Sequence, residues 1–238
     1  MLSELKYTRI LLKVSGEVLA GDQNFGIESE FIDNLARQIA NTARLGVQIA
    51  IVIGAGNIFR GLEVAASGGD RVTGDQMGML GTVINSLALG EAVQKQGVKA
   101  HVFSSVPMPS VADVFTPRDA KQSLESGKVV ICGGGTGNPF FTTDTAAALK
   151  AIELDCDILL KGTKVDGVYS SDPKKNPEAS RFSSLSHEEV ILKDLKVMDT
   201  AAFALARDNK LPILVYALES AGGLSGVLDG SVMSTRIG

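Results

Sequence analysis

Aromatic residues are scarce in this 238-residue chain, at 5% with no Trp. That scarcity argues against a surface that stacks on nucleic-acid bases. No long Lys/Arg stripe is present and the net charge is −4, so a nucleic-acid surface is not indicated. Only two cysteines occur, Cys132 and Cys156, and they form no C-x-x-C pair. A reduced, cytosolic setting fits, with both thiols packing beside strands. No apolar run approaches the roughly 20 residues that a membrane span needs. The opening Met1 to Arg9 is too polar for a secretory signal. Two nucleotide fingerprints are missing as well. No G-x-x-x-x-G-K-[ST] exists, and Gly54-Ala55-Gly56 is followed by Phe59 where a dinucleotide loop needs glycine. The two histidines, His101 and His187, have no acid, Cys or His cluster at metal spacing, which points to structural roles. Internal repeats and low-complexity segments are absent too.

Apolar residues and glycine are plentiful: hydrophobic residues are 45% of the chain and Gly numbers 26. That composition allows a sizeable core and argues against disorder. Strand and helix patterns alternate along the sequence. Short apolar runs, Ile10 to Val14, Val47 to Ile53, Val98 to Phe103, Val129 to Cys132, Asp157 to Lys161 and Leu211 to Tyr216, read as strands, with a further short one around Val232 to Thr235. Helical stripes run over Glu28 to Leu45, from Asp75 onward, Thr145 to Leu154 and Met198 to Asp208. In the second of these, Leu80, Val83, Ile84, Leu87 and Ala88 share one face. Thr116-Pro117-Arg118-Asp119 and Ser186 with Glu189 are helix-start signals. Gly61 to Gly74 and Gly162 to Pro177 read as loops. This pattern predicts one domain over 1–238: a three-layer α/β/α sandwich around a mostly parallel sheet.

In such sheets ligands bind beyond the C-terminal strand ends. Four strand-end segments share one chemical flavour: Lys13 to Gly16, Gly54 to Arg60, Gly133 to Asp144, and Lys161 to Asp172. The richest is Gly133-Gly134-Gly135-Thr136-Gly137-Asn138-Pro139-Phe140-Phe141-Thr142-Thr143-Asp144. Glycines let backbone amides approach a ligand, and a helix start following such a loop suits an anion. A plain βα turn is the alternative. Lys13, Arg60 and Lys161 sit at strand ends beside glycines. Phosphoryl transfer mostly needs positioning and charge neutralisation, which a lysine from each of two loops supplies. Asp144 at a helix start could orient both. Lys13 could instead reach to solvent, although a charge inside Leu11-Leu12-Lys13-Val14 is costly to bury unpaired.

Several strings of this chain resemble those of the bacterial uridylate (UMP) kinases of the amino acid kinase superfamily. They are Leu12 to Glu17, Gly26-Ile27, Gly56 to Gly61, Asp75 to Leu80, Gly135 to Asp144, Lys161 to Tyr169 and Val197-Met198-Asp199. The resemblance spans Ile10 to about Thr235. It implies transfer of the ATP γ-phosphate to UMP, giving UDP and ADP, within pyrimidine nucleotide biosynthesis. Mg²⁺ would arrive with ATP, and no protein-bound metal or organic cofactor is implied. Lys13 and Lys161 would neutralise the moving phosphoryl group while Asp144 holds them. Val14, Ser15, Gly16, Gly56, Arg60, Thr163, Tyr169 and Asp172 would line the ATP site. Asp75 would bind the UMP ribose hydroxyls. Ala55, Arg60, Thr136, Gly137, Asn138, Pro139, Phe140, Phe141, Thr142 and Thr143 would enclose UMP. A homohexamer, inhibition by UTP and activation by GTP are also implied, and Gly21, Asp22, Gln23, Asn24, Phe25 and Gly26 match the region linked to the GTP response. Three departures stand out: Ala55 within a loop usually all glycine, Gly162 in place of a more usual alanine, and Asn24 in place of glycine. A nucleotide-binding protein without turnover, or a kinase acting on a carboxylate or carbamate, are the rivals.

Overall fold

The computed structural model describes residues 6–23, 25–59 and 68–238. Among the described residues nine strands form one sheet: β1 (Arg9–Val14), β2 (Gln48–Ile53), β3 (Ala100–Ser104), β4 (Asp113–Val114), β5 (Val129–Gly133), β6 (Ile158–Thr163), β7 (Ser184–Leu185), β8 (Ile213–Ala217) and β9 (Ser234–Ile237). Their order is β4-β3-β5-β2-β1-β6-β8-β9-β7. Among the described residues, β8–β9 is the only antiparallel pairing between these strands. Eight helices are described: α1 (Gly16–Leu19), α2 (Ser29–Arg44), α3 (Arg71–Lys95), α4 (Pro117–Glu125), α5 (Thr143–Glu153), α6 (His187–Leu192), α7 (Thr200–Asp208) and α8 (Gly223–Asp229).

The central strands are apolar on both faces, and their period of two sends alternate side chains to two separate cores. Ile10, Leu12, Val14, Ile49, Ile51 and Ile53 pack under α2, α3 and α8, against Leu35, Ile39, Leu89, Val93, Leu224 and Val227. Leu11, Ala50, Val52, Val130 and Leu159 pack on the other side, against Leu124 of α4, Val190 of α6 and Phe203 of α7. There α5 presents Ala146, Ala147, Ala148 and Ala151, all fully buried, so its backbone lies close to the sheet. Each such buried Ile or Leu stabilises the fold by about 1.5–3 kcal/mol. Cys132 belongs to the second core, and burial pushes its thiol up to about 12, which keeps it protonated and inert.

Start signals in the sequence correspond to real caps. Thr116 Oγ1 accepts from the Asp119 amide with Pro117 opening α4, and Ser186 and Glu189 form a reciprocal capping box on α6. Elsewhere the structure corrects the pattern reading. The long helix starts at Arg71, not Asp75, with Asp70 as its cap accepting from the Thr73 amide. Residues 71–74 are therefore helical; of the remainder of the Gly61–Gly74 segment, 61–67 lie outside the described residues. The apolar face read on α3 is mostly not the one turned to the core. Val83 is buried, but Leu80, Ile84 and Leu87 are exposed together with Met77. The core-facing side holds Met79, Thr82, Asn85, Ser86, Leu89 and Val93, where small and polar residues broke the apolar stripe. The last strand lies at Ser234–Ile237 rather than Val232–Thr235, and the glycine-rich tail contains α8, framed by Gly222 and Gly230 at positive φ.

Candidate active site

The four strand-end segments follow β5, β2, β1 and β6, which are four consecutive strands running in one direction. Parallel pairing brings all four loops to the same edge of the sheet. Lys13 and Lys161 are direct register partners on β1 and β6. Both are buried, 6% and 8% exposed, and both face the α5 side. Two ammonium groups side by side in a buried position would repel strongly. Asp144, in the first turn of α5, lies between them. Its Oδ1 is 2.8 Å from Lys13 Nζ and its Oδ2 accepts from Lys161 Nζ at 2.7 Å. The positive end of α5 also favours that carboxylate. Burial works to raise the Asp144 pKa, but the two ammonium groups outweigh it and hold the carboxyl below its usual range. Burial, reinforced by Lys13, lowers Lys161 to about 8 in spite of Asp144. The trio carries one surplus positive charge, which suits it to an anion.

These residues form the floor of a cavity of about 770 Å³, a size suited to a nucleotide-scale ligand. Ser15, Thr163, Tyr169 and Asp172 line it, and so does a wall over Lys193 to Val197, of which the sequence strings held only Val197. Tyr169 donates to Asp166 Oδ1 at 2.6 Å, and Thr163 Oγ1 accepts from the Val165 amide at 2.9 Å. Val14 is wholly buried and does not line the cavity. Gly16 lies beneath the cavity: a Cβ there would come 2.4 Å from the Gly54 carbonyl oxygen and 2.7 Å from Asn57 Oδ1. Asn57 and Asn85 exchange two amide hydrogen bonds, at 3.0 and 2.7 Å, and also donate to the carbonyls of Gly26 and Gly54. This buried pair ties α3 to the loops after β2 and after α1. Nothing in the sequence marked it, because two asparagines 28 residues apart carry no periodic signal.

The second half of the site lies at the start of α3 and on the glycine loop. Asp75 accepts from the Phe140 amide at 2.7 Å and from Arg71 Nε at 2.9 and 2.8 Å. Phe140 and Phe141 are exposed, at 64% and 52%. Phe140 has φ +71°, a conformation that costs a non-glycine residue about 1–2 kcal/mol. Thr136 and Asn138 close a turn on each other, with Asn138 N donating to Thr136 Oγ1 at 3.2 Å. One expectation needs correction here. The first amides of α5 do not all point to a free anion site, since Thr142 Oγ1 accepts from Asp144 N and Thr145 N. Thr142 in turn donates to Asp199 Oδ2, and Thr145 Oγ1 donates to Asp199 Oδ1 at 2.8 Å. Asp199 caps α7 through the Ala202 amide, and so it locks the helix that carries Asp144.

The departures have local explanations. Ala55 has a negative φ, and Gly81 opposite it makes room, since a Cβ there would lie 2.9 Å from the Ala55 Cβ. Gly162 is required by Leu218, whose Cδ2 would lie 2.4 Å from an added Cβ. Arg60 and Asn24 lie outside the described residues. Gly21 and Asp22 line a separate cavity of about 490 Å³ with Glu28, Lys164 and Lys174. Among the described residues no group of three or more His, Cys, Asp or Glu could hold a metal ion. His101 bonds Asp113 Oδ2 and Ser123 Oγ, and His187 bonds the Leu211 carbonyl oxygen.

A parallel sheet with helices on both faces, and a lysine–aspartate–lysine floor under its strand ends, defines a phosphate-handling α/β protein. The model of the amino acid kinase family matches residues 8–217, and the chain belongs to that family. A uridylate kinase of Brucella anthropi is 57% identical over 231 residues, which is 97% of this chain and 96% of that one. The crystal structure of UMP kinase from Bacillus anthracis superposes with a TM-score of 0.93 at 38% identity, covering 97% and 96% of the two chains. That of UMP kinase from Ureaplasma parvum gives 0.92 at 35%, covering 98% and 99%.

Proposed function

We infer that this protein is a UMP kinase, transferring the γ-phosphate of ATP to UMP to give UDP and ADP. The observation that carries the reading is the Lys13–Asp144–Lys161 floor, where loops from four adjacent strands meet. Transfer of a phosphoryl group needs little covalent help from the protein and much charge placement. Lys13 and Lys161 neutralise the oxygens of the moving group, while Asp144 keeps both ammonium groups aimed at one point. The 770 Å³ cavity takes ATP, with Thr163, Tyr169 and Asp172 toward its nucleoside end. UMP lies across from it, between Asp75 and the Thr136–Thr143 loop. There Asp75 hydrogen-bonds the ribose hydroxyls and the phosphate faces the lysines. Both oxygens of Asp144 are engaged by lysines, which leaves it poorly suited to hold a cation. Mg²⁺ therefore enters as the chelate of ATP, held by phosphate oxygens, and supplies further charge neutralisation.

Residues 1–238 act as one catalytic unit, in the cytoplasm, in pyrimidine nucleotide synthesis. The subunit forms a homohexamer. Met77, Leu80, Ile84 and Leu87 support self-association, since they place an apolar stripe on the outer face of α3. UTP inhibits and GTP activates, the latter through the 21–26 segment beside Lys164 and Lys174. An ADP-release assay with ATP, Mg²⁺ and each of UMP, CMP, AMP and GMP tests the reaction. Turnover with UMP alone is expected. Nucleotide binding without turnover on any acceptor would overturn the assignment, and sedimentation of the wild-type and Leu80→Glu proteins tests the assembly.

A further inference from the structure

Arg71 has no role in the reading above, yet three contacts meet on it and its neighbours. Its Nε donates to both oxygens of Asp75, at 2.9 and 2.8 Å. Its guanidinium carbon lies 5.6 Å from the centroid of the Phe140 ring. The Phe140 amide closes the circuit by donating to Asp75 Oδ2 at 2.7 Å. The first turn of α3 and the glycine loop are thus clasped together across 65 positions of sequence. Phe140 holds a left-handed backbone, φ +71°, which its own chain would not favour. The clasp is what retains it there.

A carboxylate has about four lone-pair positions. The bridging Nε and the Phe140 amide together fix how the Asp75 carboxylate is turned, so its remaining acceptor capacity keeps a set direction. Without Arg71 the Asp75 carboxylate retains the Phe140 amide alone and can turn about it. Arginine suits this combination better than lysine, because its planar group bonds a carboxylate and stacks over a ring at once.

We propose that Arg71 is the positioning residue of the acceptor pocket, and that through Asp75 it sets the preference for a ribose over a 2′-deoxyribose nucleoside monophosphate. The proposal rests on Asp75 contacting the acceptor's ribose hydroxyls. A hydroxyl is read strictly only when its partner group is held in place and left unpaired by the analogue.

The test uses the full chain with ATP and Mg²⁺. Initial rates are measured with UMP and with 2′-deoxy-UMP for wild type, Arg71→Ala, Arg71→Lys, Asp75→Asn and the Arg71→Ala/Asp75→Asn double variant, with thermal melts of each. Arg71→Ala should raise KM for UMP about tenfold, as expected for losing a charge-assisted contact. Its kcat and its KM for ATP should change far less. The ratio of kcat/KM for UMP over the deoxy analogue should fall toward that of Asp75→Asn. The double variant should be no worse than Asp75→Asn alone, because residues acting through one another do not add. Arg71→Lys should recover little. An unchanged ratio in Arg71→Ala, full additivity in the double variant, or equal losses toward ATP and UMP with a lowered Tm would each overturn the proposal. A wild-type ratio near one would remove the specificity claim. If Asp75→Asn itself leaves UMP kinetics untouched, the ribose assignment has failed, and the Arg71 role falls with it for a separate, identifiable reason.

Discussion

The two halves of the site are made of different material. The donor-side floor is built on strands: Lys13 and Lys161 are register partners in the middle of the sheet, and Asp144 is clamped between them at 2.8 and 2.7 Å. The acceptor-side rim is built on a helix start and a loop, with Phe140 and Phe141 more than half exposed. The floor is rigid because moving either lysine would break sheet pairing. The rim is held by a few polar contacts through Asp75. Reactions that require one fixed point of charge and a selective partner pocket suit such a division. On the proposed reading, the floor acts on every phosphoryl transfer, while the rim decides which acceptor is admitted.

Breaking the floor should have the largest effect. Lys13→Ala and Asp144→Ala are each expected to lower turnover by about 10²- to 10³-fold, the range for losing one preorganised charge-stabilising group. Far-ultraviolet circular dichroism should show the fold retained. In Asp144→Ala two ammonium groups would face each other, but Lys161, already lowered to about 8, can shed its proton instead of unfolding the protein. Near-normal turnover in either folded variant would refute the floor's role.

The floor should also give itself away by pH. The Lys161 pKa is about 8 in the free protein against 10.5 for the ordinary side chain. If its charge is required, kcat/KM for ATP falls about tenfold per unit as pH rises above about 8. The sign for stability is opposite. Between about 8 and 10.5 the unfolded chain binds the extra proton, so this group's contribution to stability increases with pH. Activity should therefore be lost while Tm, as far as Lys161 governs it, is not. A flat rate profile to pH 9.5 would show that the charge on Lys161 is dispensable. The carboxyl of Asp144 has the same sign in a lower window: its pKa is held down, so the stability it contributes is fully present above the ordinary carboxylate pKa and is lost as pH falls through the lowered value.

Breaking the rim should be milder and one-sided. Asp75→Asn is expected to raise KM for UMP about tenfold or more, the scale of a hydrogen bond to a charged group. The KM for ATP should stay near its wild-type value. Isothermal titration with UMP checks the same point without turnover. An equal loss toward both substrates would erase the distinction between floor and rim.

The floor was legible from sequence and the rim only in part, for a physical reason. Lys13 interrupts an apolar strand, and Asp144 is the one charge in its glycine loop, so both announce a cost that needs a partner. Four glycine-flanked strand ends also pointed to one edge before any pairing was known. By contrast, the Phe140–Asp75 bond spans 65 residues and the Asp199 bonds to Thr142 and Thr145 span more than 50, and no local pattern records such a contact. The Asn57–Asn85 pair and the polar inner face of α3 were invisible for the related reason that buried polar groups look like surface in a pattern of apolar spacing. That same feature left the outward-facing Leu80, Ile84 and Leu87 as the clearest apolar stripe on α3.

The smallest expected effect lies between the two halves, at Gly162. It follows Lys161 directly on β6, and its missing Cβ leaves the space that Leu218 fills. Leu218 is 3% exposed and belongs to the core under α2 and α8, so it cannot swing away. Gly162→Ala should then cost about 1–3 kcal/mol of stability by overpacking. That corresponds to roughly 2–4 °C in Tm for each kcal/mol in a chain of this size. Relief should come from shortening the opposing side chain: the Gly162→Ala/Leu218→Val pair should be less destabilised than the sum of its single changes. Any rate loss in Gly162→Ala should track Lys161, whose strand would be pushed, and should leave KM for UMP alone. A loss confined to UMP affinity would mean that the floor and the rim are mechanically coupled through β6.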